Sequence, residues 1–570
     1  MKNIVKSKYS WVVVLLLLLA LNFLASFMSA RIDLTAEKRY TISNATHNLL
    51  ESVDDPVEIT VFLQGEMPAG FKKLRNSTAE LLQEFREIAG TKLRVTFETP
   101  GAGLDDETKQ QFIDSLYRLG LRPTNVKAQT KEGEGEEQRL IFPGALISYN
   151  GKATAIDFLQ GQSKYGGLNA LNNAEALLEY KFASAIQKVT AEEAPVVGYL
   201  IGNGQPFNYN VYDLVENALK PNYGFSFVPI DSFPVLPPVF DALVIVKPTI
   251  AFNDQQKLKL DQYVMNGGKL FWLVDNLYAE MDSLRGANTE YVAFDRNLNI
   301  QDLLFRYGVR INPDLVQDLQ CLRLPMVVNA GTGAQAQTEF LPWPYFPLLN
   351  SGSDHPIAKN LDNILSIFPN SIDTVVTPGI KKTMLLVTGN ASRTLSTPAI
   401  VSWNTLRTQE DADQFRRSRI PIGVLLEGKF NSLFANRIAR STIDSLEKVY
   451  QQPFRPLSVE NKMIVIADAD IVTNVVTRDK GPLPMGFDQF TEQQYANKDF
   501  FHNCIEYLVN PSRIIETRSK DFTLRLLDPV KLEEEKTNWQ LINIAGPVIL
   551  VLMFGLVYFY LRKRKYERKL

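Results

Sequence analysis

The chain has 570 residues, 45% of them hydrophobic, with 61 Lys and Arg against 63 Asp and Glu, 3 His and 2 Cys. That length allows about three or four domains at roughly 100 to 200 residues each. Two cysteines exclude a disulfide scaffold, and the charge balance offers no basic face for nucleic acid.

Residues 1–10 form a basic tip carrying Lys2, Lys6 and Lys8. Residues 11–29 follow as an apolar run, with only Asn22 and Ser26 as polar interruptions between Trp11 and Met28. A second run occupies 540–561, interrupted between Leu541 and Leu561 only by Asn543, and the basic tail 562–570 closes the chain. At about 1.5 Å per residue, runs of about 18 to 21 residues reach roughly 27 to 31 Å, enough to cross a bilayer. Basic flanks stay on the cytoplasmic side, so both tips are expected in the cytoplasm and the acidic middle on the far side of the membrane. A cleaved signal peptide competes for the first run, but Met28 is too large for a small-x-small site at Ser29-Ala30. In the second run, Gly546 and Pro547 are candidates for a kink or a close helix contact.

Between the runs, 30–192 reads as one α/β domain. Ser43 caps a helix through Leu49 and Leu50. Val57–Leu63 is a strand, Phe71–Ala89 a helix, Leu93–Glu98 a strand and Asp105–Leu119 a helix. Lys131–Gln138 is a charged loop. Ala145–Tyr149 and Ala153–Phe158 flank Asn150-Gly151, a strong hairpin signal. One helix, Asn169–Val189, ends the domain. This order is that of a thioredoxin-like unit, with Pro143 where that fold often carries a cis proline. The domain holds no cysteine, which leaves it the role of a scaffold; another α/β sandwich fits the order equally well.

Residues 193–330 read as a doubly wound parallel sheet. Its strands are Val196–Ile201, Phe225–Ile230, Leu243–Val246 and Lys269–Val274, and its helices Tyr209–Leu219 and Asp254–Met265. Runs apolar on both faces and joined by helices argue for this arrangement. In 331–535 the stretch Leu341–Pro347 holds too many prolines for a helix or a central strand, and is either an exposed docking segment or a packed loop. Strands return at Thr383–Val387, Ile422–Leu426 and Met463–Ile466, with a helix over Lys498–Leu508. They complete the same sheet or build a third domain; sequence order leaves both open.

Catalytic chemistry is thin. His47, His355 and His502 have no metal-ligand spacing, no G-x-S-x-G elbow occurs, and a phosphate-cradling G-x-x-x-x-G-K-[ST] is missing. Asn266-Gly267-Gly268-Lys269 reads as a helix end and turn. No cofactor is implied. Gly202, Asn203, Gly204 and Gln205 follow the first strand of the second α/β domain, where open sheets bind ligands, so they are candidates for a small-molecule or peptide contact. Asp275, Asp468 and Asp470 end strands and are weak candidates for a shared cation, with turn roles as the alternative. Cys321 and Cys504 could pair in an oxidising compartment, though their separation says nothing either way.

Several stretches together carry a resemblance. They are Arg31-Ile32-Asp33-Leu34-Thr35 with Lys38-Arg39-Tyr40-Thr41, Leu260–Val264 running into Asn266–Leu270, and Leu303-Leu304 with Tyr307-Gly308-Val309 and Asn312–Val316. His355-Pro356-Ile357, Gly423–Gly428, and Arg518-Ser519-Lys520 with Leu526-Leu527-Asp528 complete the set. The chain resembles the gliding-motility-associated ABC transporter auxiliary, or substrate-binding, proteins of the GldG type. The resemblance implies a non-enzymatic subunit in the bacterial inner membrane with a periplasmic domain, partnered by an ABC permease and a separate ATPase. It also implies a middle region like class I glutamine amidotransferases. Enzymes of that fold carry a Cys nucleophile at a strand–helix elbow; here Leu243–Val246 runs into Lys247-Pro248-Thr249.

Overall fold

The computed structural model describes Leu15 and residues 41–567, except 66, 122, 130–135, 160–166, 285–288, 330–336, 404–408 and 520–528. Two compact units divide the chain at residues 520 and 521. Apart from Leu15, the first apolar run lies outside the described residues.

The first lobe of the larger unit begins at Ser43, whose side chain accepts from Thr46 N at 3.2 Å and caps helix Asn44–Glu51. Ser43 N and Thr46 Oγ1 both donate to the buried Glu179 carboxylate, at 2.8 and 2.9 Å, tying this helix to helix Leu178–Thr190. Four strands form a sheet in the order Leu93–Phe97, Val57–Val61, Gly144–Tyr149, Lys152–Asp157, the first pair parallel and the others antiparallel. Asn150 and Gly151 turn the hairpin at φ of 47° and 80°, the left-handed pair a two-residue turn needs. Helices Ala69–Ala89 and Leu178–Thr190 bury Leu74, Phe85, Phe182 and Ile186 in the lobe's core.

Three expectations for this lobe are corrected. The charged loop is partly strand, since Glu136–Ile141 pairs with Thr124–Gln129; a backbone ladder needs no apolar side chains, so composition hid it. The final helix is two, Gly167–Ala176 and Leu178–Thr190, jointed at Leu177. Pro143 follows a trans bond: among the described residues the cis peptide is Thr397-Pro398.

The second lobe is built on one large sheet. Its strands run in the order Cys321–Asn329, Gln337–Ser351, Ile380–Val387, Pro421–Asn431, Leu457–Ile466, Lys269–Leu273, Ala242–Val246, Val196–Ile201 and Gly224–Pro229, with Ile364–Leu365 paired to the second. The last five are mutually parallel, and the rest join antiparallel. Strands from the later region therefore lie in the same ladder as those before residue 330. Adjacent residues of one strand feed opposite cores. Phe271 and Leu273 pack with Phe501 and Cys504 of helix Asn497–Val509, whereas Leu270 and Trp272 pack with Leu260 and Tyr263 of helix Asp254–Met265. The expected helix Tyr209–Leu219 is a 3-10 turn, Tyr209–Val211, followed by a π-helical segment, Asp213–Leu219. Distant bonds hold its first turn: Asp213 Oδ2 accepts from Met485 N at 3.0 Å, and Asp213 N donates to Asn474 Oδ1 at 3.2 Å.

The proline-rich stretch is neither loop nor docking segment. It lies in strand Gln337–Ser351, with Trp343 and Tyr345 at 1% and 2% exposure. Over 337–347 the strand is laddered to Cys321–Asn329, and on its other side Tyr345 O and Pro347 O only accept, from Phe368 N at 3.0 Å and Ser366 N at 3.1 Å, so the prolines there are not needed as donors. Trp343 stacks on Trp403 at 4.9 Å, meets Phe346 and Phe368 edge-on, and donates from Nε1 to Ser402 O at 3.2 Å. Both cysteines are free: Cys504 is buried in the sheet's core, and burial pushes the Cys321 thiol up to about 12.

The smaller unit is described as one helix, Pro529–Glu567. Within it Trp539–Arg564 has mean hydropathy 2.3 and no buried residue, and among the described residues it is the one helix long and apolar enough to cross a membrane. Pro547 lies inside this helix, and a Cβ built on Gly546 meets nothing within 4 Å.

Trp343→Ala removes a fully buried ring packed against Tyr345, Phe346, Phe368 and Trp403 and leaves a cavity. We expect a loss of about 3 to 5 kcal/mol, read from the midpoint of denaturant unfolding in detergent. Trp343→Phe is expected to lose less than half as much.

Candidate functional site

Strand register creates the site. Val246 pairs with Leu273, and Leu273 with Ile466, so three parallel strands end level. The residues just beyond them, Lys247, Asp275 and Asp468, are thereby brought to one edge of the sheet. Lys247 holds a left-handed φ of 47° while its N–H bonds Leu273 O at 2.9 Å. Its ammonium lies 2.7 Å from Asp470 Oδ1, 3.2 Å from Asp275 Oδ2 and 3.3 Å from Glu280 Oε2, and the side chain is 13% exposed. Arg296 supports the rim, donating from Nη2 to Glu280 at 2.7 Å and from Nε to Leu277 O at 3.1 Å.

Backbone amides hold the aspartates in place. Asp275 Oδ1 accepts from Ala469 N at 2.6 Å; Asp468 accepts from Ile367 N at 2.8 Å and Asp470 N at 2.7 Å, and also from the Ser366 hydroxyl. Burial alone would lower the Lys247 ammonium, but Asp470, Asp275 and Glu280 outweigh it and hold it well above the ordinary lysine value. Burial raises Asp275 and Glu280, with Lys247 pulling both back down. Asp468 is raised furthest, by burial and then by Asp275 and Asp470.

Asp275, Asp468 and Asp470, weak candidates for a shared cation, come together, with one oxygen from each within 4.8 Å of the others. An all-carboxylate donor set suits a hard cation. The internal ammonium of Lys247 already stands against two of them, so a metal ion would have to displace it. A lysine held protonated is a poor base or nucleophile, and the arrangement acts as a clamp joining the three loops. Sequence reading missed Lys247, Glu280 and Arg296 as partners. The available signal was a lysine directly after Ala242–Val246, a strand buried at all five positions.

Gly202–Gln205 contributes no side chain to this clamp but is bound to the segment that follows Lys247, Asn203 O accepting from Thr249 N at 2.9 Å and Ile250 N at 3.0 Å. Gly202 and Gly204 have φ of 129° and 75°, and a Cβ on Gly204 would lie 2.0 Å from Thr249 Oγ1, so the close approach requires glycine. Asn203 Nδ2 donates to Gln256 Oε1 at 3.0 Å, and Gln205 Oε1 accepts from Asn203 N at 2.7 Å. Both side chains are buried, and Asn203 Nδ2 also reaches Ala251 O at 3.3 Å. The histidines do not meet: burial lowers His355, which packs on the Tyr507 ring, to about 4, and His502 to about 3.

Fold and site thus define a mixed α/β protein with a clamped sheet end and an apolar C-terminal helix. Residues 194–504 match the family described as an ABC-type uncharacterized transport system, and residues 36–148 match a domain of unknown function, DUF7088. The first match spans more than half of the sequence, and the chain belongs to that ABC transporter auxiliary family. An uncharacterized protein of Borreliella burgdorferi is 21% identical over 548 residues, covering 94% of each chain. Among solved structures, the mmIFT52 N-terminal domain is similar at TM-score 0.30 and 13% identity, over 55% of this chain and 97% of that one. An exo-β-1,4-mannosidase, Op5Man5 of an Opitutaceae bacterium, is similar at TM-score 0.20 and 11% identity, over 72% of this chain and 47% of that one. Scores this low carry no argument about fold.

Lys247→Met strands the carboxylates without their cation, and we expect a loss of about 3 to 5 kcal/mol near neutral pH. Asp275, Glu280 and Asp468 have folded pKa values above their unfolded ones, so stability falls as pH rises through that window and returns as it drops. The deficit against wild type should therefore be widest at about pH 7 to 8 and shrink toward about pH 4, as denaturation midpoints across that range will read. The clamp's own contribution in wild type persists until pH rises past the ordinary lysine range, because Lys247 is raised.

Proposed function

We propose that the chain is a non-enzymatic, membrane-anchored subunit of an ABC transporter complex, acting with a separate permease and ATPase. The carrying observation is the family match over 194–504 in a chain that also holds the apolar helix Trp539–Arg564. In this reading two helices anchor the protein in the bacterial inner membrane, with both basic tips cytoplasmic and the acidic bulk periplasmic. Gly546 and Pro547 serve helix packing beside the permease, and the lineage is that of gliding motility.

The α/β bulk supplies a rigid body, not a reaction. The first lobe is taken as thioredoxin-like, which its strand order and its parallel-then-antiparallel pairing support. The second is taken as a relative of the glutamine-amidotransferase fold in which Lys247 stands at the elbow where those enzymes place a nucleophile. Its left-handed φ at the end of a parallel strand supports that reading.

A ligand- or peptide-binding module is the second reading. It is favoured by Asn203 Oδ1 and Gln205 Nε2, which are buried without a hydrogen-bond partner in the turn after the first strand.

Affinity purification of the full-length protein from native membranes in mild detergent, followed by mass spectrometry, tests the subunit reading. An ABC permease and an ATPase are expected to travel with it. Recovery of the protein alone would sink that reading and direct attention to the Gly202–Gln205 turn.

A further inference from the structure

Arg518 belongs to a motif that the transporter reading leaves without a role. It lies in the 3-10 turn Ile514–Ser519, which packs against helices Asn44–Glu51 and Leu178–Thr190 of the first lobe and Asn497–Val509 of the second. This turn is part of the seam between the lobes. Nearby, Gln187 and Asn510 exchange amide hydrogen bonds of 2.8 and 2.6 Å across the same seam.

The Arg518 side chain is 4% exposed. Its guanidinium lies 4.8 Å from the centre of the Tyr180 ring, and its backbone carbonyl accepts from Asn360 Nδ2 at 3.2 Å. Nε and Nη2 are both buried without a hydrogen-bond partner, as is the hydroxyl of neighbouring Thr517. Those two nitrogens make up one edge of the guanidinium, the edge that grips a carboxylate or phosphate with two parallel bonds. Lys181 is a second cation near Arg518, its ammonium held by Asp157 O at 2.8 Å and Phe158 O at 2.9 Å and lowered to about 8, chiefly by burial. Asp499 is the acidic group acting on both cations. No ion pair joins it to Arg518 among the described residues. Burial raises the Asp499 carboxyl, which weakens it as a counter-charge.

We propose that the seam between the two lobes binds a small oxyanion, a carboxylate or a phosphate, on the Nε and Nη2 edge of Arg518. That edge is closed to solvent, so an anion bound there is held away from water between the lobes. Such a ligand would lock the lobes together immediately before the chain runs on to its C-terminal helix. The proposal needs no transporter partner and stands independently of the subunit reading.

The test is thermal unfolding of the full-length protein in detergent, titrated separately with acetate and inorganic phosphate at constant ionic strength against chloride. We expect a saturable rise of about 2 to 5 °C with at least one probe. A rise with acetate alone marks a planar carboxylate site, and one with phosphate a tetrahedral one. Arg518→Lys keeps the charge but loses the paired edge, and should lose the saturable rise. An equal rise in Arg518→Lys means an adventitious ion only and overturns the proposal, as does no saturable rise in wild type with either probe. Should the variant fail to fold, the wild-type titrations decide alone. Asp499→Asn is expected to keep the response; its loss there would make Asp499 part of the anion's enclosure in place of the arginine edge and overturn the assignment.

Discussion

Parallel pairing of Leu457–Ile466 with Lys269–Leu273 is the constraint on which the rest depends. It joins segments far apart in sequence, and the antiparallel strands Pro421–Asn431 and Ile380–Val387 are then added beyond it. Both faces of the resulting sheet must be covered, because the central strands are apolar on both sides. Helix Asn497–Val509 covers one and helix Asp254–Met265 the other. Without that one pairing the sheet would present an open edge at Lys269–Leu273, and the loop carrying Asp468 and Asp470 would not reach Lys247.

The clamp at the sheet's end follows from level strand ends and from the cost of burying charge. Four carboxylates close together in a partly buried site are unfavourable unless cations accompany them, and here the protein supplies Lys247 and Arg296 itself. The place where open α/β sheets take ligands is thereby occupied by the chain's own side chains.

Polar groups recur at the joints between elements. Glu179 ties the first helix to helix Leu178–Thr190, and Asp261 is bound by Tyr307, Ser432 and Leu433 N within the sheet's second core. Both carboxylates accept hydrogen bonds from more than one element, which fixes where one element meets the next instead of adding general cohesion. The Arg518 edge in the seam departs from this pattern.

Sequence by itself determined the local features of this protein. The Asn150-Gly151 turn, the Ser43 cap, helix Asp254–Met265 and the apolar strands of the parallel sheet were legible because hydrophobic period, cap residues and turn residues act over a few positions. The apolar C-terminal helix was legible for the same reason. Tertiary structure decided what depended on partners elsewhere in the chain. Prolines in Leu341–Pro347 are tolerated in a strand because on the side away from Cys321–Asn329 the strand only accepts hydrogen bonds there, and the π-helical turn at Asp213 exists because Met485 and Asn474 hold it. Strand ends made convergence of the aspartates a weak candidate beside turn roles, and the ammonium among them was not visible. Whether Asp275, Asp468 and Asp470 face a metal ion or a lysine depends on strand register across distant segments, and no local pattern of residues encodes that register.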